Sequence, residues 1–420
     1  MAEEIRDKYI SYCDSKSINQ HPYILWQLEQ HTNKSEDACL QLPGNNYFIT
    51  KTRLNDEDFE ALCCALMDTS LFSEINLSYN NCSGKGAQHI SKLIENNAAL
   101  VALDLHQNDI DGEGAKSIAK SLHDNSTLKF LRLSGNKISN YGGMHFAGAL
   151  QVNLALEVLD LNETDLGMES IIAFSTVLTR NRFMKSVYFN RPLLFSLQEE
   201  TTIHLSLMLK VNTFLKEIHL AKHNIRDFGA ERLAEALAHN STLKYLNLSC
   251  NRITRDGAKH LANLLEVNQA LEVLDLGQNR LENEGAIHFA EGLQKNFTLK
   301  ALSIPDNQIE AEGLCALADA LDTNHSLENL YIWGNCLEER ACIAFDNLLT
   351  RKRLNASGTD VQPYLIDSRV YLAHASHGLR TYYYYKPCFG PDASNYPESL
   401  QACSYKSPVP IKTSSKVMVQ

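Results

Sequence analysis

The strongest constraint on this chain is a self-similarity at 28 residues. The segment LVALDLHQNDIDGEGAKSIAKSLHDNST at Leu100 recurs as LKFLRLSGNKISNYGGMHFAGALQVNLA at Leu128 and as LKYLNLSCNRITRDGAKHLANLLEVNQA at Leu243. Alignment on this pattern gives eleven units, starting at Gly44, Phe72, Leu100, Leu128, Leu156, Met184, Leu215, Leu243, Leu271, Leu299 and Leu327. Each step is 28 residues except that from Met184 to Leu215, which is 31. A unit of this size cannot bury an apolar face alone, so the units must stack on one another to share a core.

Within a unit, apolar residues at relative positions one, four and six, as in Leu243, Leu246 and Leu248, carry the period of a short strand with one buried face. Asn stands at position nine in seven units, from Asn80, Asn108 and Asn136 to Asn335, where its amide can satisfy backbone groups as the strand turns away. A Gly-Ala pair such as Gly257-Ala258 then opens a run with helical spacing, exemplified by Leu261, Ala262 and Leu265. Asn recurs near the end of that helix in nine units, for example Asn97 and Asn268, and the left-handed conformation of a helix C-terminus is its expected role. Strands repeat every ~4.8 Å, whereas packed helices need about 8 to 10 Å. The array must therefore curve, with a parallel sheet inside and helices outside.

The unit LxxLxLxxNxI...GAxxLAxxLxxN resembles the ribonuclease-inhibitor type of leucine-rich repeat, shared with NOD-like receptors and the GTPase-activating protein of Ran. That resemblance covers residues 44–354 and implies an α/β horseshoe solenoid. The layout of a short N-terminal segment, eleven units and a tail reading VQPYLIDSRVYLAHASHGLRTYYYY is similar to one branch of the family in particular. This narrower resemblance implies a developmental protein of germ or stem cells, cytoplasmic and nuclear or nucleolar; an adaptor in a large assembly such as the ciliary axoneme is the alternative.

Solenoid ends expose core and need covers. Residues 1–43, with Ile5, Tyr9, Tyr23, Ile24, Trp26 and Leu28, are expected to supply one, and an edge hairpin within 355–390 the other. Residues 391–420 read as a flexible basic tail. The 31-residue unit at 184–214 lacks Gly-Ala and has Pro192 in place of Asn. A loop insertion is the plainer explanation, and a change of curvature, a hinge or a contact point the sharper one.

The chain carries 39 Lys and Arg against 50 Asp and Glu, a net charge of −11. Residues 351–420 hold nine basic and four acidic side chains, or +5, which leaves −16 on the rest. An acidic body disfavours direct nucleic-acid binding and fits a basic protein partner. Eleven scattered cysteines without a CxxC pair, and no apolar stretch near the ~18 residues of a membrane span, read as an intracellular chain without membrane contact. The sequons at Asn76 and Asn247 fall inside strands, where a glycan has no room. No phosphate loop, HExxH, GxSxG or strand-linked GxGxxG occurs, so no catalytic, cofactor or metal residue and no small-molecule substrate is assigned. His106, His219 and His223 read as polar surface or as substitutes for Asn, with His223 at the Asn position. A GTPase activator of the Ran type has an acidic segment after the repeats; here that segment is basic.

A protein-interaction scaffold is the remaining reading, with contacts from side chains between the buried leucines. Position five predicts a ladder that includes Phe48, Asp104, Arg132, Asp160, Tyr188, His219, Asp275 and Tyr331; position three adds Phe130 and Tyr245, and position seven Trp333. Asp104, Arg132 and Asp160 form an acid-base-acid run, either as mutual neutralisation or as a partner contact. Tyr331 and Trp333 with Tyr245 form the leading contact patch, because interface energy concentrates in such side chains. The alternative is that the chain's own tail covers these rings.

Overall fold

The computed structural model describes residues 2–31, 38–45, 53–195 and 199–375. Helices α1 (Ala2–Lys16) and α2 (Pro22–Gln30) precede β1 (Ala38–Gln41) and α3 (Asp56–Leu66). Next come β2 (Phe72–Asn76), α4 (Gly84–Asn96), β3 (Ala102–Asp104), α5 (Gly112–Ser121), β4 (Phe130–Arg132), α6 (Ser139–Ala149), β5 (Val158–Asp160) and α7 (Met168–Leu178). The irregular unit supplies β6 (Ser186–Tyr188) and α8 (Glu200–Val211). The second half runs through β7 (Glu217–His219), α9 (Asp227–Leu237), β8 (Tyr245–Asn247), α10 (Arg255–Val267), β9 (Val273–Asp275) and α11 (Glu282–Lys295). It ends with β10 (Ala301–Ser303), α12 (Ala311–Thr323), β11 (Asn329–Tyr331) and α13 (Glu339–Thr350). The hairpin β12 (Val361–Ile366) and β13 (Arg369–His374) follows. Strands β1 to β11 form one parallel sheet in chain order, giving the α/β repeat solenoid with helices layered on one side.

One boundary differs from the sequence pattern. The first strand is Ala38–Gln41, paired Leu40↔Ile75 and Gln41↔Asn76, so the sheet already includes a strand ahead of Gly44, where the sequence pattern starts the array. Leu40 and Leu42 occupy the buried places that Ile75 and Leu77 fill in the next unit. Fourteen residues separate β1 from α3 against seven between β2 and α4, which throws the 28-residue spacing out of phase. Phe48 lies in that link, outside the described residues.

Three-residue strands leave many peptide groups without a sheet partner, and two Asn series supply them. At position nine, the Asn108 amide donates to the carbonyls of Leu77 and Leu105, both at 3.0 Å, while its oxygen accepts from Cys82 N. Asn136, Asn251 and Asn279 repeat the pattern. At the helix ends, the Asn268 amide donates to Leu237 O and Asn240 O, and its oxygen accepts from Ala270 N and Leu271 N. The left-handed conformation expected for this second series is absent: Asn97 has φ −101 and Asn268 φ −81, both extended. Side-chain hydrogen bonds, not backbone permissiveness, account for Asn there. A left-handed residue recurs instead at position eight, from Tyr79 and Gln107 to Asp306 and Gly334, where each strand turns away, with others at position ten (Asp165, Asn224, Gln308) or twelve (Ser139, Glu282).

Gly in the Gly-Ala pair has a specific cause. A Cβ on Gly86 or Gly257 would lie 2.6 Å from the Asp56 or Asp227 carboxylate of the preceding unit. Those carboxylates accept hydrogen bonds from the first turn of α4 and α10, so the helix start must admit them closely.

The irregular unit does not interrupt the sheet, since Val187 pairs with both Leu159 and Ile218. The additional residues fall between β6 and α8. Position nine of the following unit is His223, whose Nε2 donates to Phe189 O at 2.8 Å, replacing the Asn amide. Burial lowers its pKa to about 4.

At the N-terminal end α1 packs on α3 and α2 on β1. Ile5, Tyr9, Tyr23, Ile24 and Leu28 are buried, but Trp26 is 45% exposed, its ring stacked on the outside of Tyr23. At the other end the hairpin packs on α13. Asp360 accepts from Ile332 N at 2.9 Å and Trp333 N at 3.1 Å, taking the place of the strand that would follow β11. The Arg353 guanidinium donates to the carbonyls of Leu321, Leu327 and Asn324, as the helix-end Asn does elsewhere. Residues 376–420, including the whole of the expected basic tail at 391–420, lie outside the described residues.

Two outcomes follow from these contacts. Arg353→Ala removes three donors to buried carbonyls and should raise amide exchange in α12 and α13 at least tenfold while leaving α4 to α6 unchanged; uniform exchange would contradict this end-capping role. His223 must gain a proton on unfolding as pH falls from 6.5 towards 4, so stability should drop over that range by up to about 3 kcal/mol. In His223→Asn, denaturation curves should lose that part of the acid dependence.

Candidate functional site

Position-five side chains alternate with the buried leucines and so project from the face of the sheet opposite the helices. Pairing aligns them across the sheet as Gln41, Asn76, Asp104, Arg132, Asp160, Tyr188, His219, Asn247, Asp275, Ser303 and Tyr331. The predicted ladder is therefore formed, with Gln41 in the place assigned to Phe48.

Its first charged segment is internally neutralised. Arg132 lies between two carboxylates, Nη1 3.3 Å from Asp104 and Nε 3.1 Å from Asp160, and His106 Nδ1 is 2.7 Å from Asp104. Burial alone would raise the Asp104 pKa; Arg132 and His106 override it and hold the carboxyl below its ordinary range. Several ladder carboxylates and amides also have a structural task. Asn76, Asp104, Asp160, Asn247 and Asp275 each accept the N–H two residues on, at 2.9 or 3.0 Å, closing the turn after the strand. Most of the predicted contact residues are thus less accessible than the sequence implies. Asp104, Phe130, Asp160, His219, Tyr245 and Tyr331 are buried, while Arg132, Tyr188, Asp275 and Trp333 are half-buried.

The aromatic members fall into distinct groups. Tyr188 stacks on His219, ring centroids 4.0 Å apart, and His219 meets Tyr245 edge-on at 4.6 Å. Tyr245, Val273, Ala301 and Tyr331 form an apolar cluster separate from the main core, and Ala102, Phe130 and Val158 form another. Trp333 is held by the chain itself, stacked on His374 of the hairpin at 4.9 Å. His106 and His219 are buried rather than surface residues, and His223 belongs to the Asn series.

Three features escaped the sequence pattern. At position three, Glu217 accepts from Tyr188 OH at 3.1 Å, beside the aromatic stack. At position two, Glu157 bridges Lys129 and Lys185, and Glu272 bridges Lys244 and Lys300 at 2.7 Å each. Burial pushes the Glu272 pKa up, but the two ammonium groups outweigh it, for a net fall. Alternating charge at 28-residue intervals would have revealed these runs. On α8, Ile203, Leu207 and Val211 form an exposed stripe at fourth-residue spacing, out of phase with buried Leu205 and Leu209. Among the described residues no group of three or more His, Cys, Asp or Glu could hold a metal, and no helix is long and apolar enough to cross a membrane.

The ladder's neutralisation has a measurable consequence. Asp104 contributes stability that is present above its unfolded pKa and lost as pH falls through its depressed folded value. Arg132→Ala removes the guanidinium from this buried carboxylate, leaving His106 as its side-chain partner, and should cost about 3 kcal/mol in urea denaturation at pH 7. The loss should shrink towards pH 4, where the carboxyl can protonate; a loss independent of pH would point to packing instead.

Comparison with known proteins agrees with this architecture. A leucine-rich repeat family model matches residues 96–119, 124–147, 211–234, 239–262, 267–290 and 295–318. Leucine-rich repeat-containing protein 34 of Mus musculus is 43% identical over 394 residues, covering 92% of this chain and 95% of the relative. Its Homo sapiens counterpart is 43% identical over 392 residues, covering 92% of this chain and 84% of the relative. Among solved structures, a tropomodulin C-terminal domain of Caenorhabditis elegans aligns with 37% of this chain and 92% of its own length, at 20% identity and a TM-score of 0.32. With these repeats, and relatives matched over nearly their full length, the chain belongs to the leucine-rich repeat-containing protein 34 family.

Proposed function

We propose that the protein is a non-enzymatic scaffold that seats a protein partner against the concave face of its sheet. The observation that carries this reading is the strip Tyr188, His219, Tyr245, Asp275 and Tyr331, which the strand register aligns across six consecutive strands. Tyr188 and Asp275, the half-buried members, offer contact area and charge together over the buried rings of His219, Tyr245 and Tyr331, and aromatic side chains tend to dominate interface energy. The acidic body favours a basic partner. Family membership supports a developmental role in stem or germ cells, with a cytoplasmic and nuclear or nucleolar location, as part of the same proposal.

Affinity purification with mass spectrometry provides the test. Tyr188→Ala should reduce recovery of a reproducible partner at least fivefold, while Lys259→Ala, on the helical side, should not; circular dichroism verifies that both variants fold. Equal recovery with both variants would remove the concave strip as the contact surface.

A further inference from the structure

The carboxylates of the concave face are of two kinds. Asp104 and Asp160 share Arg132, whereas Glu217 and Asp275 have no Lys or Arg within ion-pair distance among the described residues. Among the described residues the nearest basic side chain to Glu217 is the His219 imidazole, Nε2 at 3.9 Å, too far for a hydrogen bond. Asp275 accepts from Gly277 N and lies beside Ser303, and burial raises its pKa. One strand separates β7, which carries Glu217 and His219, from β9, which carries Asp275. Tyr245 and Asn247 of β8 stand between them, and the backbones that carry the two carboxylates are at least about 10 Å apart, twice the strand spacing.

His219 supplies a second, independent observation. Its side chain is more than nine-tenths buried, yet among the described residues Nε2 has no hydrogen-bond partner. The neighbouring Asn247 fixes the tautomer. Asn247 Oδ1 accepts from Ser249, so its amide nitrogen faces His219 Nδ1, at 3.5 Å. That arrangement makes Nδ1 the acceptor and leaves the proton on Nε2, an unsatisfied donor beside two carboxylates without a strong cation. A buried donor of this kind is costly unless something accepts from it. The complement to the site has an acceptor and a cation a few ångströms apart. A free amine lacks the acceptor; a polypeptide has both, in its main-chain carbonyl and its lysine or arginine side chain.

We propose that Glu217, His219 and Asp275, with the Tyr188 and Tyr245 rings, form a receptor for an extended basic peptide segment of a protein partner. A main-chain carbonyl accepts from His219 Nε2, and two basic side chains of the segment, arginine or lysine, pair one with Glu217 and one with Asp275 against the rings. This deepens the scaffold reading and rests on it.

The test uses a fluorescent peptide of alternating arginine and glycine, its anisotropy measured against the full chain at about 150 mM salt, where long-range attraction is screened. Glu217→Gln and Asp275→Asn keep the acceptors used by Tyr188 OH and Gly277 N, so both should fold. Each should weaken binding about tenfold, and His219→Phe, which keeps the stacking but removes the donor, about threefold. Glu291→Gln, an exposed change of the same charge on α11, should alter it less than about twofold. Equal weakening by Glu217→Gln and Glu291→Gln, or no binding by the unaltered chain, would overturn the proposal. Partner capture that survives Glu217→Gln and Asp275→Asn but is lost in Tyr188→Ala would remove this receptor and leave the scaffold standing.

Discussion

Hydrogen bonding by buried asparagine side chains is the interaction on which the rest of this structure depends. A three-residue strand pairs few peptide groups, and each unit then turns sharply twice inside a packed core. Without partners, the carbonyls of Leu77, Leu105, Leu237 and their equivalents would be buried and unsatisfied, a penalty of about 1 to 3 kcal/mol each. One amide per turn, reaching into the preceding unit as well as its own, removes that penalty and ties neighbouring units together. The C-terminal end follows the same rule with different residues, since Asp360 substitutes for a missing strand and Arg353 for a missing Asn.

This backbone economy sets the character of the concave face. Strand register repeats so closely that side chains 28 residues apart become neighbours, and a charge is read against its counterpart in the next unit. Alternating signs then neutralise one another, as in Asp104, Arg132 and Asp160 or Lys244, Glu272 and Lys300. Where alternation fails, at Glu217 and Asp275, negative charge and a buried imidazole donor remain without a strong cation among the described residues. The scaffold reading and the peptide-receptor proposal both arise from this contrast between self-satisfied and unsatisfied stretches of one ladder.

Much of this was legible in the sequence because spacing is a linear property. The 28-residue period gives strand, helix and stacking order directly, and the Asp104, Arg132 and Asp160 ladder follows from equal spacing alone. Trp26 and the first strand were misread for a related reason. A lengthened link breaks phase without breaking the fold, and an apolar residue type does not state which way it points. The helix-end Asn was found but misinterpreted, since its φ is extended and its work is done by the side chain.

By itself the sequence determined the repeat architecture, the Asn series, the sign of the charge and the strip of side chains facing away from the helices. These depend on residue type at fixed intervals, and interval is preserved when units stack. Tertiary structure alone decided that Trp333 is occupied by His374, that His223 bridges the irregular unit, and that His219 is buried with a nitrogen unpartnered among the described residues. Each of these depends on distances and hydrogen-bond directions between elements, which spacing along the chain does not encode.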